Sequence, residues 1–402
     1  MKTVQLDIQG FRSLKNVSWR PGDLNVIIGP NGSGKPNLLR ALEMISAAAR
    51  GRLSNHIIAS GGIGALVWDG RGDTIAWKLL VSPEIPPPDI TPLNHEFLYN
   101  VGLIRSGMTS SYRVRDEVLE RIEFDGSADQ AANTTKQLVR HNRTVKTYSD
   151  VSVPQDLSLD AIVEEETLLS QVAGPFANNP WLRTVRGQME TWSVYHDVRV
   201  DQGATVRQSP VARKEERVER DGQNLINVLH TLYMSDRDFK QDINDAMYAA
   251  FGRDFDELIF PPDAGDQRIQ LKIRWKTLQR EQSASELSDG TLRFLFLLTV
   301  LARPTAPVIA IDEPEMDLHP SMLPIVAEFA AKASRRVQVI FTTHSDRFLD
   351  AFRDVRPTTT VAKLENGETT LTTLDDKELA YWVEGYTLGS LFRSGELENM
   401  AS

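Results

Sequence analysis

The sequence predicts an α/β fold built around a mixed sheet, and two observations lead to this prediction. Short apolar runs of strand length alternate with segments of helical periodicity towards both ends of the chain, whereas the middle is mixed. The chain has 402 residues. Because domains typically hold about 150 residues, we expect two or three lobes around at least one sizeable core.

Apolar spacing predicts the elements of the first half. Alternation predicts a strand over residues 3–8, an unbroken apolar run predicts a buried strand over 24–28, and helical spacing predicts a helix over 37–49. The same criteria predict strands over 65–68, 74–81, 97–104, 111–115 and 194–200, and helices over 157–173 and 180–192. Residues 126–155 are polar and are predicted to be irregular, and residues 202–221 to form an exposed linker.

The second half repeats the alternation with more strongly apolar elements. A helical pattern covers residues 223–251 with a break near Ser235, and the most apolar helix lies within 284–301. Strands are predicted over 258–260, 269–275, 308–311 and 337–342, and helices over 320–334 and 347–352. The sustained heptads that a long coiled coil needs are absent.

Composition excludes several classes of protein. Without cysteine, disulfides and Cys-ligated metal sites are excluded, which fits a reducing cytoplasm. The net charge of −10 argues against coating nucleic acid through bulk charge, although a local basic groove stays open. The longest apolar stretch, residues 294–302, is far shorter than the ~20 residues that span a bilayer, and no signal-peptide pattern is visible. We therefore expect a cytoplasmic protein without a membrane segment.

The most specific motif follows the strand predicted over residues 24–28. Residues 29–35 have the sequence GPNGSGK, which matches G-x-x-x-x-G-K between a buried strand and a helix. Glycines let successive N–H groups point at phosphate oxygens, the helix dipole adds positive potential, and Lys35 supplies a charge. The candidate nucleotide-binding residues are Asn31, Gly32, Ser33, Gly34, Lys35, Pro36 and Asn37.

Pro36 departs from this motif. The position after the lysine normally holds Ser or Thr, whose hydroxyl ligates Mg²⁺. Proline has neither a hydroxyl nor a backbone N–H, although it is well tolerated in the first turn of a helix. It also disfavours α geometry at Lys35. We therefore expect impaired hydrolysis and weaker nucleotide binding.

Two further strand ends carry polar residues with catalytic chemistry. Asp312 and Glu313 follow an apolar strand, where Asp312 is a candidate Mg²⁺ ligand and Glu313 a candidate general base that polarises the attacking water. His344 ends the strand predicted over 337–342 and is a candidate for contacting a γ-phosphate or orienting water. Ser288 and Gly290 precede the apolar helix and form a candidate anion site. The structural alternatives are an acidic turn, a satisfied core histidine and an ordinary helix cap.

Together, in this order, the motifs resemble the ABC-type ATPase head of RecF, the SMC proteins and their relatives. LSDGT at residues 287–291 is similar to the family's signature, and Asp317 corresponds to its D-loop. Finer similarities point to the RecF-like "AAA family ATPase" group without long coiled coils: GFRSL at 10–14, SELSDGTLRFLFLL at 285–298, IDEPEMDLHP at 311–320, TTHSDRFLD at 342–350 and YTLGSLFRSGEL at 386–397.

The resemblance implies a two-lobed P-loop NTPase head. Residues 1–155 would form an N-terminal ATPase lobe with an antiparallel sheet, residues 156–283 an inserted helical or mixed subdomain, and residues 284–402 a C-terminal lobe with the signature, the Walker B strand and the switch histidine. ATP and Mg²⁺ are the implied ligands, and a homodimer would enclose two nucleotides. Ser288 and Gly290 would then act in trans on the nucleotide bound by the other subunit, and Arg12 would lie near the nucleotide.

Three functional hypotheses remain open from the sequence. The first is an ATP-driven dimeric switch that controls DNA or a separate effector, such as a nuclease or toxin, in DNA repair or anti-phage defence. The second is a pseudo-ATPase scaffold that binds nucleotide and a partner without turnover, because of Pro36. The third is a DNA-end binder that uses the basic cluster of residues 136–146, chiefly Lys136, Arg140 and Arg143.

Overall fold

The structure, a computed structural model, describes residues 1–82, 95–107, 111–124, 131–142, 144–149, 153–174, 177–262, 267–352, 355–383 and 385–401. The strands in chain order are β1 (Lys2–Phe11), β2 (Leu14–Trp19), β3 (Leu24–Ile28), β4 (Thr74–Ser82), β5 (His95–Arg105), β6 (Tyr112–Phe124), β7 (Ala131–His141), β8 (Thr144–Tyr148), β9 (Pro154–Asp156), β10 (Ser193–Tyr195), β11 (Phe255–Ile259), β12 (Lys272–Trp275), β13 (Gln282–Ser283), β14 (Val308–Asp312), β15 (Gln338–Thr342), β16 (Thr358–Glu365) and β17 (Glu368–Thr373).

The helices of the described ranges are α1 (Lys35–Arg50), α2 (Leu53–Ala59), α3 (Leu168–Val172), α4 (Pro180–Glu190), α5 (Leu225–Ser235), α6 (Arg237–Phe251), α7 (Asp289–Ala302), α8 (Leu323–Ser334), α9 (Asp346–Leu349), α10 (Asp376–Val383), α11 (Leu388–Arg393) and α12 (Glu396–Met400). In these ranges no helix combines the length and the apolar character needed to cross a bilayer.

A six-stranded sheet lies at the centre, in the order β10-β14-β15-β3-β16-β17, parallel except for β17. Successive side chains of β3 point into two different cores: Ile27 packs on the α1 side, and Val26 and Ile28 pack on the α7 and α8 side. Burial on both faces explains why the strands are continuous apolar runs rather than alternating ones. It also explains why the sequence predicts where these strands begin and end.

An eight-stranded antiparallel sheet, in the order β2-β1-β4-β5-β6-β7-β8-β9, covers the opposite side of α1. One face of this sheet packs on α1, α3 and α4 through alternating residues such as Leu6, Trp77 and Phe97, and the residues of the other face are half-buried or exposed. Helix α1 is therefore enclosed between two sheets, which fixes the loop at its N-terminus relative to both. A separate three-stranded sheet, β11-β12-β13, packs beside α5 and α6.

The mixed α/β architecture predicted from the sequence is confirmed. The strand predicted over residues 24–28 coincides with β3, and those over 308–311 and 337–342 correspond to β14 and β15. Several local predictions are wrong. Within residues 65–68, Ala65 and Trp68 belong to two 3-10 turns, Ile63–Ala65 and Trp68–Gly70, and only α3 is an α-helix within 157–173. The strand predicted over 194–200 ends at Tyr195, and the linker predicted to be exposed over 202–221 buries Val206 and Arg207.

A further error concerns the polar region 126–155, whose described parts form β7, β8 and β9 rather than irregular structure. These strands extend the antiparallel sheet, and only single residues such as Leu138 and Val145 reach the core. A half-solvated strand with so few apolar residues does not show clear alternation in the sequence.

The segment 156–283 contributes to more than one layer. Its strand β10 pairs in parallel with β14 at the edge of the central sheet, and α4 packs against α1. Its later part, with α5 and α6, packs on α7 in the other core. The proposed domain boundaries at 155/156 and 283/284 stay predictions.

Candidate nucleotide site

The phosphate loop connects β3 directly to α1, as the motif predicts. Asn31 and Gly32 are exposed at its tip, whereas Ser33, Gly34 and Lys35 are buried. The Lys35 Nζ donates to the carbonyl oxygens of Gly29 at 2.6 Å and Pro30 at 3.1 Å, so the lysine closes the loop from inside. The first N–H groups of a helix have no intrahelical partner, which leaves this end of α1 able to bind an anion.

The β16–β17 hairpin braces the loop from behind. The hydroxyl of Thr369 lies 2.9 Å from the carbonyl oxygen of Ser33 and 2.7 Å from the hydroxyl of Ser13, which also accepts a hydrogen bond from Asn37 Nδ2 at 2.8 Å. Gly34 has a φ of +93°, and a Cβ there would overlap the Thr369 hydroxyl. Glycine is therefore required at this position for two reasons: its backbone conformation is left-handed, and a side chain would have no room.

Pro36 occupies the first turn of α1, and α1 nevertheless begins at Lys35 itself. The expected disturbance of Lys35 does not prevent helix formation. The N–H of Asn37 bonds to the carbonyl oxygen of Gly34 at 2.9 Å, so the first turn closes around the proline. Pro36 therefore leaves the helix intact, but it removes a hydroxyl and a backbone N–H that could contact a ligand beside the phosphate loop.

The acidic end of β14 and the end of β15 meet at the same sheet edge. The Thr342 hydroxyl donates to the Asp312 carboxylate, and the Glu313 N–H donates to the Thr342 carbonyl oxygen at 3.0 Å. His344 Nδ1 lies 3.0 Å from Glu313 Oε1, so the structure brings the two predicted catalytic side chains together. Glu313 has a φ of +44°, which non-glycine residues rarely adopt.

The charges of this edge act on each other. Burial lowers the pKa of Lys35, while the nearby charges of Glu313, Asp312 and Glu315 raise it. Burial raises the pKa of Asp312, opposed by its hydrogen bond from Thr342. Lys35 and Asp312 thus share one electrostatic environment, although they are far apart in sequence.

Sequence inspection missed two residues beside this edge, the half-buried Glu315 and the buried Arg293. Glu315 accepts a hydrogen bond from the Thr343 hydroxyl, and burial raises its pKa. Arg293 on α7 donates through Nη2 to the carbonyl oxygen of Glu313 at 3.2 Å and thereby connects α7 to the loop after β14. Burial lowers the pKa of Arg293. The buried Arg293 was concealed within a strongly apolar helix, where sequence periodicity indicates only packing.

The predicted signature residues lie at the N-terminus of α7. The Ser288 hydroxyl accepts a hydrogen bond from the Thr291 N–H at 3.2 Å and caps the helix. Gly290 approaches the carbonyl oxygen of Asp317 so closely that a Cβ would overlap it, and Asp317 itself has a φ of +62°. The structure therefore brings the predicted signature and the predicted D-loop residue together within one chain. Ser288 is exposed.

Arg12 lies in the turn between β1 and β2, with a φ of +49° and its N–H bonded to the carbonyl oxygen of Leu66 at 2.7 Å. Burial and then the charge of Arg40 on α1 lower its pKa. Arg12 is thus placed beside the phosphate-loop helix, and its contact with the nucleotide stays a prediction.

Arg140, at the centre of the basic cluster that the sequence offers for DNA contacts, makes contacts within the protein. Arg140 is buried and donates to the carbonyl oxygens of Glu166 at 3.0 Å and Glu164 at 3.3 Å. This arginine joins β7 to the segment before α3, so its assignment as a phosphate contact is wrong. Lys136 is exposed, and Arg143 lies outside the described residues.

Next to the sheet edge formed by the ends of β14 and β15, Glu43 of α1 connects two other segments. Its carboxylate lies 3.1 Å from His196 Nε2 and 2.8 Å from Arg220 Nη1. Burial alone would raise the pKa of Glu43, but the hydrogen bond from His196 and the charges of His196 and Arg220 lower it to about 2.

This depressed pKa gives a pH-dependent prediction. A carboxyl whose folded-state pKa lies below its ordinary 4.5 adds stability above that value, and the contribution is lost as the pH falls towards about 2. Glu43→Gln is expected to lower the free energy of unfolding by up to about 3 kcal/mol near neutral pH. The deficit should shrink below pH 4.5, as measured by urea unfolding at several pH values. The exposed Glu216→Gln serves as control, and a deficit that is constant down to pH 3 would contradict the assignment.

The residues at the edge fit Mg²⁺ with a bound nucleotide. In the part of the chain that the structure describes, no group of three or more ligating side chains is arranged to hold a metal ion by itself. Mg²⁺ commonly needs only one or two carboxylates, the rest being waters and phosphate oxygens, and Asp312 meets that need. The Ser33 hydroxyl and the Glu315 Oε2 are buried without a hydrogen-bond partner among the described residues, as expected beside a ligand site.

Comparison with known proteins decides the family. The family model described as "AAA domain, putative AbiEii toxin, Type IV TA system" matches residues 24–350. The chain belongs to this AAA family. The match includes the phosphate loop, the signature, the acidic strand end and His344, so this AAA-family chain has the motifs of an SMC- and RecF-like ABC-type ATPase. The family is one of nucleotide-binding ATPases.

One solved structure shows the same fold for this AAA-family chain. The head domain in "Crystal structure of the SmcHead bound to the C-winged helix domain of ScpA" aligns with a TM-score of 0.55 and 12% identity, covering 94% of this chain and 100% of that one. An SMC head from Thermotoga maritima has a TM-score of 0.40 with 13% identity, covering 93% of this chain and 100% of that one. A head domain from Pyrococcus furiosus has a TM-score of 0.45 with 12% identity, covering 95% and 98%. A search of the curated proteins returned no match.

Proposed function

We propose that this AAA-family chain is an ATP-binding and ATP-hydrolysing switch that works as a homodimer. The observation that carries the proposal is the contact of Glu313 with His344, 3.0 Å apart, at the sheet edge whose charges act on Lys35. A catalytic base within hydrogen-bond reach of a second polar side chain, next to a phosphate loop, is the arrangement that nucleotide hydrolysis needs.

Each residue has a distinct part in this proposal. The N–H groups at the start of α1 and Lys35 bind the phosphates and supply positive potential where charge develops. Glu313 accepts a proton from the attacking water, and His344 orients the Glu313 carboxylate or that water. Asp312 would hold Mg²⁺, which when bound neutralises charge on the phosphate oxygens.

The homodimer is supported by what the signature residues contact. Ser288 and Gly290 make their contacts with Thr291 and Asp317, and Ser288 is exposed at the N-terminus of α7. A helix N-terminus facing outward with a hydroxyl suits a phosphate that another molecule presents. We infer that Ser288 and Gly290 of each subunit complete the site of the other, so that ATP closes the dimer and hydrolysis opens it.

The switch would act on a separate effector. The family name includes a putative toxin of a toxin–antitoxin system, and the solved SMC head was crystallised with a domain of ScpA. Both are consistent with a head that controls a partner, here a nuclease or toxin in anti-phage defence or DNA repair. DNA is the alternative target, and its binding would be ATP-dependent and would weaken with salt.

Pro36 favours a second candidate function, a nucleotide-binding scaffold without turnover. The residue removes the hydroxyl that commonly ligates Mg²⁺, while α1 and the phosphate loop remain intact around it. A chain that keeps its binding loop and lacks a metal ligand would bind ATP and change its assembly state without hydrolysing the nucleotide.

Pro36→Ser separates the two candidates. We expect the chain to bind Mg·ATP, and the serine variant to hydrolyse it about tenfold faster, which corresponds to about 1.4 kcal/mol of restored ligation. The measurements are ATP affinity by calorimetry and phosphate release at steady state, with Lys35→Ala as the binding-deficient control. ATP binding without turnover in both proteins would favour the scaffold, and absence of binding in both would overturn both candidates.

A further inference from the structure

A cleft of about 950 Å³ lies at the end of α1 that is farthest from the phosphate loop. Its walls are formed by the end of α1, the end of α4, the start of β10 and the segment 215–221. Helix α1 has 16 residues, so its two ends are about 24 Å apart at a rise of 1.5 Å per residue. The cleft has the size of a ligand pocket, and the residues assigned above to the nucleotide site lie elsewhere.

Four arginines line this cleft, which we call the arginine cleft: Arg50, Arg52, Arg217 and Arg220. Burial and then the charges of the other three arginines lower the pKa of Arg50 to about 10. Each of those charges acts more strongly on Arg50 than the opposing charge of Glu190 does. Like charges that are brought together disfavour each other's charged forms, and an anion between them removes that penalty. The electrostatics at Arg50 therefore favour a bound anion.

Most acidic side chains of the same walls have partners outside the arginine cluster. These pairs are Glu190 with Arg186, Glu215 with Asn224, Glu216 with Lys214, and Asp221 with the N–H of Gln223. Arg50 and Arg217 donate instead to backbone carbonyl oxygens, which Glu190 and Trp192 provide. A carbonyl oxygen carries only a partial charge, so these contacts position the two guanidinium groups without neutralising them.

The other two arginines have donors that the protein leaves unused. The Arg52 side chain is exposed and makes no hydrogen bond or ion pair with the described residues. Arg220 holds Glu43 through Nη1 at 2.8 Å, but its Nε is buried without a partner in the described ranges. A buried N–H without a partner is uncommon in native structures and indicates a missing ligand or water. The forked donors of arginine match the oxygens of phosphate groups.

We propose that the arginine cleft binds a ligand with two or more phosphate groups, either a free polyphosphate or the backbone of a nucleic acid strand. Both sources present the same chemistry, namely phosphate oxygens at successive positions, and the volume of the cleft accommodates more than one phosphate. This second anion site is independent of the phosphate loop and of hydrolysis. Arg220 also holds Glu43 on α1, so the ligand would be connected to the helix that begins at the phosphate loop.

Titration of the full chain with inorganic tripolyphosphate, and separately with a short single-stranded DNA, tests this inference. The Lys35→Ala background removes the lysine of the phosphate loop, so that the arginine cleft is the site observed. Arg52→Gln is expected to weaken binding about tenfold, the value of one hydrogen bond to a charged group. Arg52→Lys should recover only part of the loss, because lysine keeps the charge without the forked donors. Arg335→Gln is the matched control, an exposed arginine at the end of α8 and outside the cleft.

The two probes separate the two sources of phosphate. Tighter binding of the DNA, with an affinity that falls steeply as salt rises, identifies a nucleic acid backbone, whereas equal or tighter binding of tripolyphosphate identifies a free polyphosphate. A loss in Arg52→Gln no greater than that in Arg335→Gln overturns the inference, and so does binding of neither probe. ATP titration of the parent chain tests the proposed function separately, because Lys35 lies outside the arginine cleft.

Discussion

Glu313→Gln is expected to lower the rate of ATP hydrolysis by about 10²- to 10⁴-fold, the range of a general base, and to leave ATP affinity intact. The amide has the size of the carboxylate but cannot accept the proton of the attacking water. The backbone of residue 313 is held by its hydrogen bond to Thr342 and by Arg293, so the substitution should not move the loop. Phosphate release is measured in the chain or in Pro36→Ser, whichever turns over.

Two controls make this prediction specific. Glu328→Gln alters an exposed carboxylate of α8 that pairs with Lys332, and it should retain full activity. If the switch proposal is right, Glu313→Gln should also remain dimeric with ATP during gel filtration, because the step that opens the dimer is blocked. Undiminished hydrolysis in Glu313→Gln would show that another group is the base.

The sheet edge with Asp312, Glu313 and His344 could be predicted from sequence because its strands are local and strongly apolar. β3, β14 and β15 are buried on both faces, and each leads directly into polar residues. Parallel strands place their carboxyl ends at one edge, so Lys35, Asp312 and His344 could be grouped before their contacts were known. The contact of His344 with Glu313 follows from that edge.

Other parts of the site depend on contacts between distant segments. His196 follows a strand of three residues, Ser193–Tyr195, whose position beside β14 has no local signal. Thr369 braces the phosphate loop from a hairpin more than three hundred residues away along the chain, as the separation of 336 residues from Ser33 shows. The prediction that Arg140 contacts DNA is wrong for the same reason. The carbonyl group to which Arg140 donates belongs to Glu166, which lies outside the region 126–155 that was predicted to be irregular. Tertiary placement, which a single sequence does not show, determines all three.

Mixing two inactive variants should restore activity if the nucleotide sites are shared between subunits. Lys35→Ala removes the phosphate contact. Ser288→Asp keeps the helix cap, because aspartate is also a good N-cap residue, but places a negative charge against the γ-phosphate. In a mixed dimer, one site combines the intact Lys35 of the Ser288→Asp subunit with the intact Ser288 of the other. At equal mixing about a quarter of the parent activity should return, since half of the dimers are mixed and one of their two sites is intact.

The matched control for this experiment is a mixture of Lys35→Ala with Glu313→Gln. Lys35 and Glu313 meet at one sheet edge within a single chain, as the effect of Glu313 on the pKa of Lys35 indicates. No pairing of these two variants forms an intact site, so their mixture should stay inactive. Recovery in the first mixture alone would support sites built from two subunits. If neither mixture recovers activity while both variants still form ATP-dependent dimers with the parent chain, the prediction that Ser288 completes an independently active site of the other subunit is contradicted.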